Sequence, residues 1–101
     1  MIKHYNDDNF KEIKKETYVL VDFFATWCGP CKMLGSVLEK LDGKNVIPIV
    51  KVDVDASQNT AAEYKIFSVP TLILFKNGNE KDRVSGYRNL EELEKWVENN
   101  A

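Results

Sequence analysis

Cys28 and Cys31 are the only cysteines in the 101-residue chain, and they stand in the segment WCGPC (27–31) with Gly29 and Pro30 between them. Thiols at this spacing support four kinds of chemistry: half of a metal site, a structural staple, two inert core residues, or a dithiol that closes to a disulfide and reopens. A zinc or iron–sulfur site wants about four ligands, commonly two CxxC pairs or one CxxC with two histidines. Here one CxxC is matched by a single histidine, His4, far away in sequence, so no metal is expected. Small stapled scaffolds carry many more cysteines than two. Inert core cysteines would both fall on the apolar stripe of the helix that follows, and Cys28 precedes that stripe.

A redox pair accounts for the placement. The apolar run YVLVDFFA (18–25) ends just before the motif, and a helical pattern opens at Gly29, so the cysteines sit where strand becomes helix. Unpaired backbone N–H groups and the positive end of the helix dipole favour an anion there, which makes Cys28 the candidate thiolate and nucleophile. Cys31 follows one turn later on the same face. Side chains three apart on a helix approach to about 5–6 Å at Cβ, close to the roughly 3.5–4.5 Å of a disulfide, so a small adjustment closes the bond. Gly29 keeps the rim low for a partner, and Pro30 brings a fixed φ to a first turn where its missing N–H needs no partner.

The other elements have to hold this motif in place. IKHY (2–5) suits a short edge strand, and Asp7 or Asp8 can cap a helix whose face carries Phe10 and Ile13. YVLVDFFA is apolar on both faces, as a strand at the centre of a covered sheet must be. Met33, Leu34, Val37, Leu38 and Leu41 recur at helical spacing and form one stripe, with Asp42-Gly43 as the stop. NVIPIVKVDVD (45–55) predicts a second central strand, and SQNTAAEYKI a short helix. TLILFK (71–76) and KDRVSG (81–86) flank Asn77-Gly78-Asn79-Glu80, and Asn-Gly between strand patterns is a strong hairpin signal. Asn89 and Glu92 have the spacing of a capping box, and Leu90, Leu93, Trp96 and Val97 give the last helix a buried face. The order βαβαβαββα predicts an α/β domain spanning 1–101: a mixed sheet of about five strands flanked by four helices.

Composition excludes several functions. The 14 Lys and Arg against 16 Asp and Glu are spread without long runs of one sign, so no nucleic-acid stripe or membrane patch is expected. The start MIKHYNDDNF lacks the basic and apolar regions of a secretory signal, and no apolar run approaches the ~20 residues that cross a bilayer, which predicts a cytoplasmic protein. In that compartment disulfides are usually transient or catalytic. Asp22 is the one acid inside YVLVDFFA; a lone buried carboxylate is costly and titrates high unless paired. Lys51, in IVKVDVD, is the candidate partner, and a solvated lysine at a strand end is the plain alternative.

WCGPC (27–31), VDFFA (21–25), SVPT (68–71), FKNG (75–78) and SGY (85–87) together resemble the thioredoxin family, over essentially the whole chain. The resemblance implies the thioredoxin fold and protein-disulfide reduction, with Cys28 as nucleophile and Cys31 resolving. It implies no bound cofactor; electrons come from a thioredoxin reductase, an NADPH- and FAD-dependent flavoprotein, and the clients are proteins with disulfides. It also implies that the chain acts as a monomer. By the same resemblance Asp22 stands behind the second cysteine as general acid and base, Pro70 is a cis-proline beside the cysteines, and the backbone of Val69 pairs with an extended client. Trp27, Val69 and Gly86, with Phe67 and Tyr87, would form an apolar apron around Cys28. The chain departs from the family in two places: Phe24 replaces the usual tryptophan, and Gly35-Ser36 replaces a small residue followed by a proline. Pro30 argues for a reductase over an oxidase or isomerase, which usually carry a histidine there. A redox-silent binding subunit on the same scaffold is the alternative function.

Overall fold

A computed structural model describes all 101 residues. Five strands, β1 (Lys3–Tyr5), β2 (Tyr18–Phe24), β3 (Ile49–Asp53), β4 (Thr71–Lys76) and β5 (Asn79–Ser85), form one sheet in the order β1-β3-β2-β4-β5. The first three run parallel, and β4 and β5 are antiparallel to their neighbours. A 3₁₀ helix (Phe10–Lys15) and the helices α1 (Gly29–Gly43), α2 (Gln58–Glu63) and α3 (Leu90–Asn99) connect them. The expected element order is present; the first helical piece is 3₁₀, so three of the four helices are α.

YVLVDFF takes the central place because both of its faces are apolar. Val19, Val21 and Phe23 point into a cluster with Phe10, Ile13, Val50, Val52, Ile73 and Phe75, covered by the 3₁₀ helix and by Tyr64 and Ile66, which follow α2. Phe10, Phe23, Tyr64 and Phe75 pack there with ring centroids 5.2–6.3 Å apart, the range in which aromatic edges and faces attract. Leu20 points the other way, into a cluster with Leu34, Leu38 and Leu41 of α1 and Leu93 and Val97 of α3. Asp22 shares that second face by strand alternation, so its carboxyl goes into the layer between sheet and α1.

Four details differ from what the sequence suggests. Met33 is exposed, and Cys31 joins Leu34, Leu38 and Leu41 on the buried face, because Met33 lies 100° away from Leu34 around the helix. Helix α1 runs through Gly43, and the left-handed residue that ends it is Asn45 (φ 54°), a residue type that tolerates this conformation. The segment 45–48 stays outside β3, which begins only after Pro48. Neither Asp7 nor Asp8 caps the 3₁₀ helix: Asn6 accepts from the backbone N–H groups of Asp8 and Asn9, while Asp7 accepts from Thr60 and Asn59 at the start of α2. Asp7 thus ties the amino-terminal segment to a helix whose own cap residue, Ser57, makes no capping bond.

The hairpin is a fifth difference, tighter than the sequence suggests. Lys76 pairs with Asn79 across the two-residue loop Asn77-Gly78, and both loop residues have positive φ (53° and 83°), the type I′ geometry that matches strand twist. The capping box at Asn89 and Glu92 is present in both directions.

Candidate active site

The motif lies where β2 hands over to α1. Cys28 is the extended cap residue of the helix, and its sulfur accepts the backbone N–H of Cys31 at 3.2 Å. The same two residues are joined as a disulfide with Cα atoms 5.2 Å apart, which leaves no free cysteine in the chain. A sulfur already bonded by a helix-start N–H is stabilised as an anion when the disulfide opens. Both cysteines are buried, Cys28 at 6% exposure and Cys31 at 2%, so the first is the one nearer the surface. Gly29 and Pro30 are exposed, leaving the rim open.

The loop before β4 closes one side of the site. The Cys28 sulfur lies 3.8 Å from the Val69 carbonyl oxygen, the Val69–Pro70 bond is cis, and Pro70 is buried. Gly86, at φ 89°, donates its N–H to the Pro70 carbonyl at 2.8 Å, so the end of β5 is fastened beside the same loop. Trp27 (70%), next to Cys28, Phe67 (92%), two residues before Val69, and Tyr87 (40%), next to Gly86, are exposed. The indole N–H of Trp27 donates to Asp55 at 2.8 Å. Asp55 is a residue the sequence did not single out, since nothing in a run of VDVD distinguishes one acid from the other.

Asp22 is completely buried on β2, and neither carboxyl oxygen has a hydrogen-bond partner in the protein. Burial raises its pKa from 3.8 to about 7, with Lys51 opposing the rise. Lys51 is in register with Asp22 on the neighbouring β3, its ammonium 3.9 Å from the carboxyl and mostly buried. The expected pairing is therefore present, and the solvated alternative for Lys51 is not. A small open pocket lined by Phe24, Ala25, Thr26, Cys31, Lys32 and Lys51 has the lysine of this pair and the second cysteine in one lining.

The family model for thioredoxin matches residues 1–99. The chain belongs to the thioredoxin family. It is 50% identical over 91 residues to the thioredoxin of Staphylococcus haemolyticus, covering 86% of each chain. It is 45% identical over 98 residues to that of Chlamydia muridarum, covering 96% of each. A solved mutant thioredoxin from Halobacterium salinarum superposes with a TM-score of 0.91 at 33% identity, over 98% of this chain and 89% of the other. Fold, family and bonded cysteine pair agree: the protein is a thiol–disulfide oxidoreductase of the protein-disulfide reductase type. As in the family generally, its partners are a thioredoxin reductase and proteins that carry disulfides. No helix is long and apolar enough to cross a membrane.

Proposed function

We propose that the chain is a single-domain, monomeric cytoplasmic reductant in which Cys28 attacks, Cys31 resolves, and Asp22 moves the proton. The Cys28 thiolate attacks one sulfur of a client disulfide; that S–S bond breaks, a mixed disulfide forms, and the first client thiolate leaves and takes up a proton. Cys31 then gives its proton to Asp22 and attacks the Cys28 sulfur; the Cys28–client S–S bond breaks, the second client thiolate leaves and takes up the proton from Asp22, and the Cys28–Cys31 disulfide remains. Two electrons and two protons have passed to the client. An NADPH- and FAD-dependent reductase returns them, and the chain itself needs no resident cofactor. An acid with a pKa of about 7 is suited to this exchange, because it is available in both forms near neutral pH.

Trp27, Val69, Pro70 and Gly86 line the client groove in this reading, with Gly29 and Pro30 leaving access to Cys28 and Lys51 supporting Asp22. The observation that carries the order of attack is the helix-start N–H on the Cys28 sulfur, an interaction Cys31 does not receive. Trapping tests it. A Cys31→Ser variant should accumulate stable mixed disulfides through Cys28 with a model substrate such as insulin, and Cys28→Ser should accumulate none. Adducts that map to Cys31 in equal yield would reverse the assignment.

A further inference from the structure

Lysine side chains are long and flexible, and one contact of 3.9 Å does not by itself hold an ammonium in place. Three surfaces meet at the Lys51 ammonium. Asp22 lies on one side, and the Phe24 ring, two residues further along the same strand face, presents its centroid at 4.5 Å. On the third side is Gly35 of α1, where an added Cβ would sit 3.4 Å from the nitrogen, at the close edge of ordinary contact, so that a branched side chain there would crowd the ammonium. Beyond it opens a groove of about 630 Å³ between β1, β3 and α1, whose charged and titratable lining is His4, Lys32, Glu39 and Asp42. His4 is in register with Lys51 on β1; Glu39 is an acid toward which a free ammonium would swing, and Asp42 already pairs with the amino-terminal ammonium of Met1 at 3.1 Å.

We propose that Phe24 and Gly35 are positioning residues that keep Lys51 beside Asp22 and away from Glu39 in the groove. The ring face attracts the ammonium, and the missing side chain at 35 leaves it room. The proposal rests on the reading of Asp22 as proton carrier only for its kinetic consequence; the electrostatic consequence stands alone. A cation beside Asp22 favours its charged form, so releasing Lys51 moves the Asp22 titration to higher pH.

The test follows the Asp22 carboxyl by carbon NMR against pH in the oxidised protein, with Asp22→Asn assigning the signal. Phe24→Leu, which keeps apolar bulk without a ring face, should raise the midpoint by about half a pH unit, the size that one ring–ammonium contact supports. Gly35→Val should raise it as well, and Phe24→Trp should restore the wild-type value. The deciding measurement is made in a Lys51→Met background, where Phe24→Leu should change nothing further. A shift of the same size in that background would mean that the ring acts on Asp22 by packing alone and would overturn the proposal; so would an unmoved midpoint in Phe24→Leu. If the midpoint moves as expected while the pH profile of mixed-disulfide resolution does not, the positioning role holds and the proton-carrier role of Asp22 fails.

Discussion

Replacing Asp22 by Asn should stabilise the protein at high pH and not at low pH. The carboxyl has a raised folded pKa of about 7 against 3.8 when unfolded. Below the lower value both states hold the proton, and the group carries no charge-burial cost. Between the two values the unfolded chain has released its proton while the folded one retains it, so stability falls as pH rises; above about 7 the loss levels off. A difference of about three pH units at roughly 1.4 kcal/mol each amounts to about 4 kcal/mol. Asn has nearly the same shape and no charge, so whatever it costs in fit is the same at every pH. The difference in stability between variant and wild type should therefore move by about 4 kcal/mol in favour of Asn between about pH 3 and about pH 9. Urea titrations of both oxidised proteins at the two pH values read this directly. Equal differences at the two values would refute the reasoning, because they would show that Asp22 titrates alike folded and unfolded. In the proposed mechanism the same variant slows resolution of the mixed disulfide near neutral pH.

Phe67→Ser should leave the urea midpoint unchanged, since the ring is 92% exposed, yet weaken capture of disulfide clients by Cys31→Ser; unaltered capture in a pull-down titration would remove Phe67 from the client surface. Gly86→Ala should lose about 1–2 kcal/mol of stability, because φ of 89° is unfavourable for a residue with a Cβ, and calorimetry would detect it as a lower melting temperature. Asp7→Ala should lower stability throughout the range above the ordinary carboxylate pKa of 3.8 and little in stronger acid. Its pKa is depressed by the hydrogen bonds from Thr60, so that contribution exists above the unfolded pKa and disappears as pH falls through the folded one. Amide exchange at Thr60 and Ala61 gives the local readout: protection that survives the substitution would show that the cap is dispensable.

The redox motif was legible because its residues act through local geometry. Cys28, Pro30 and Cys31 need only a helix start, and a helix start is written in the sequence around them. The hairpin at Asn77-Gly78 and the capping box at Asn89 were legible for the same reason: the whole interaction falls within a few residues. Asp7 was misassigned to its own 3₁₀ helix because its real partner, Thr60, is more than fifty residues away. Met33 was placed on the buried stripe because apolar character and approximate spacing both admit it, and only the orientation of α1 on the sheet excludes it. Asp55 and the contacts of Phe24 and Gly35 to Lys51 depend on how strands and helix meet, so no local pattern announces them.

Asp22 joins these two kinds of information. Its location at the centre of the sheet follows from an apolar strand that both layers cover, and that burial alone would raise the pKa of any carboxylate placed there. Burial without a cation leaves the acid protonated and unable to accept from a thiol at neutral pH. A fully exposed cation pair would keep it ionised and unable to return the proton. Lys51 is placed between these limits: it is in register with Asp22, close enough to oppose desolvation, yet too far for a close hydrogen-bonded pair at 3.9 Å. The resulting value of about 7 is a balance between burial in the core and a cation held at its edge. Changes that move the lysine should therefore shift the Asp22 titration while leaving the cysteine geometry as it is.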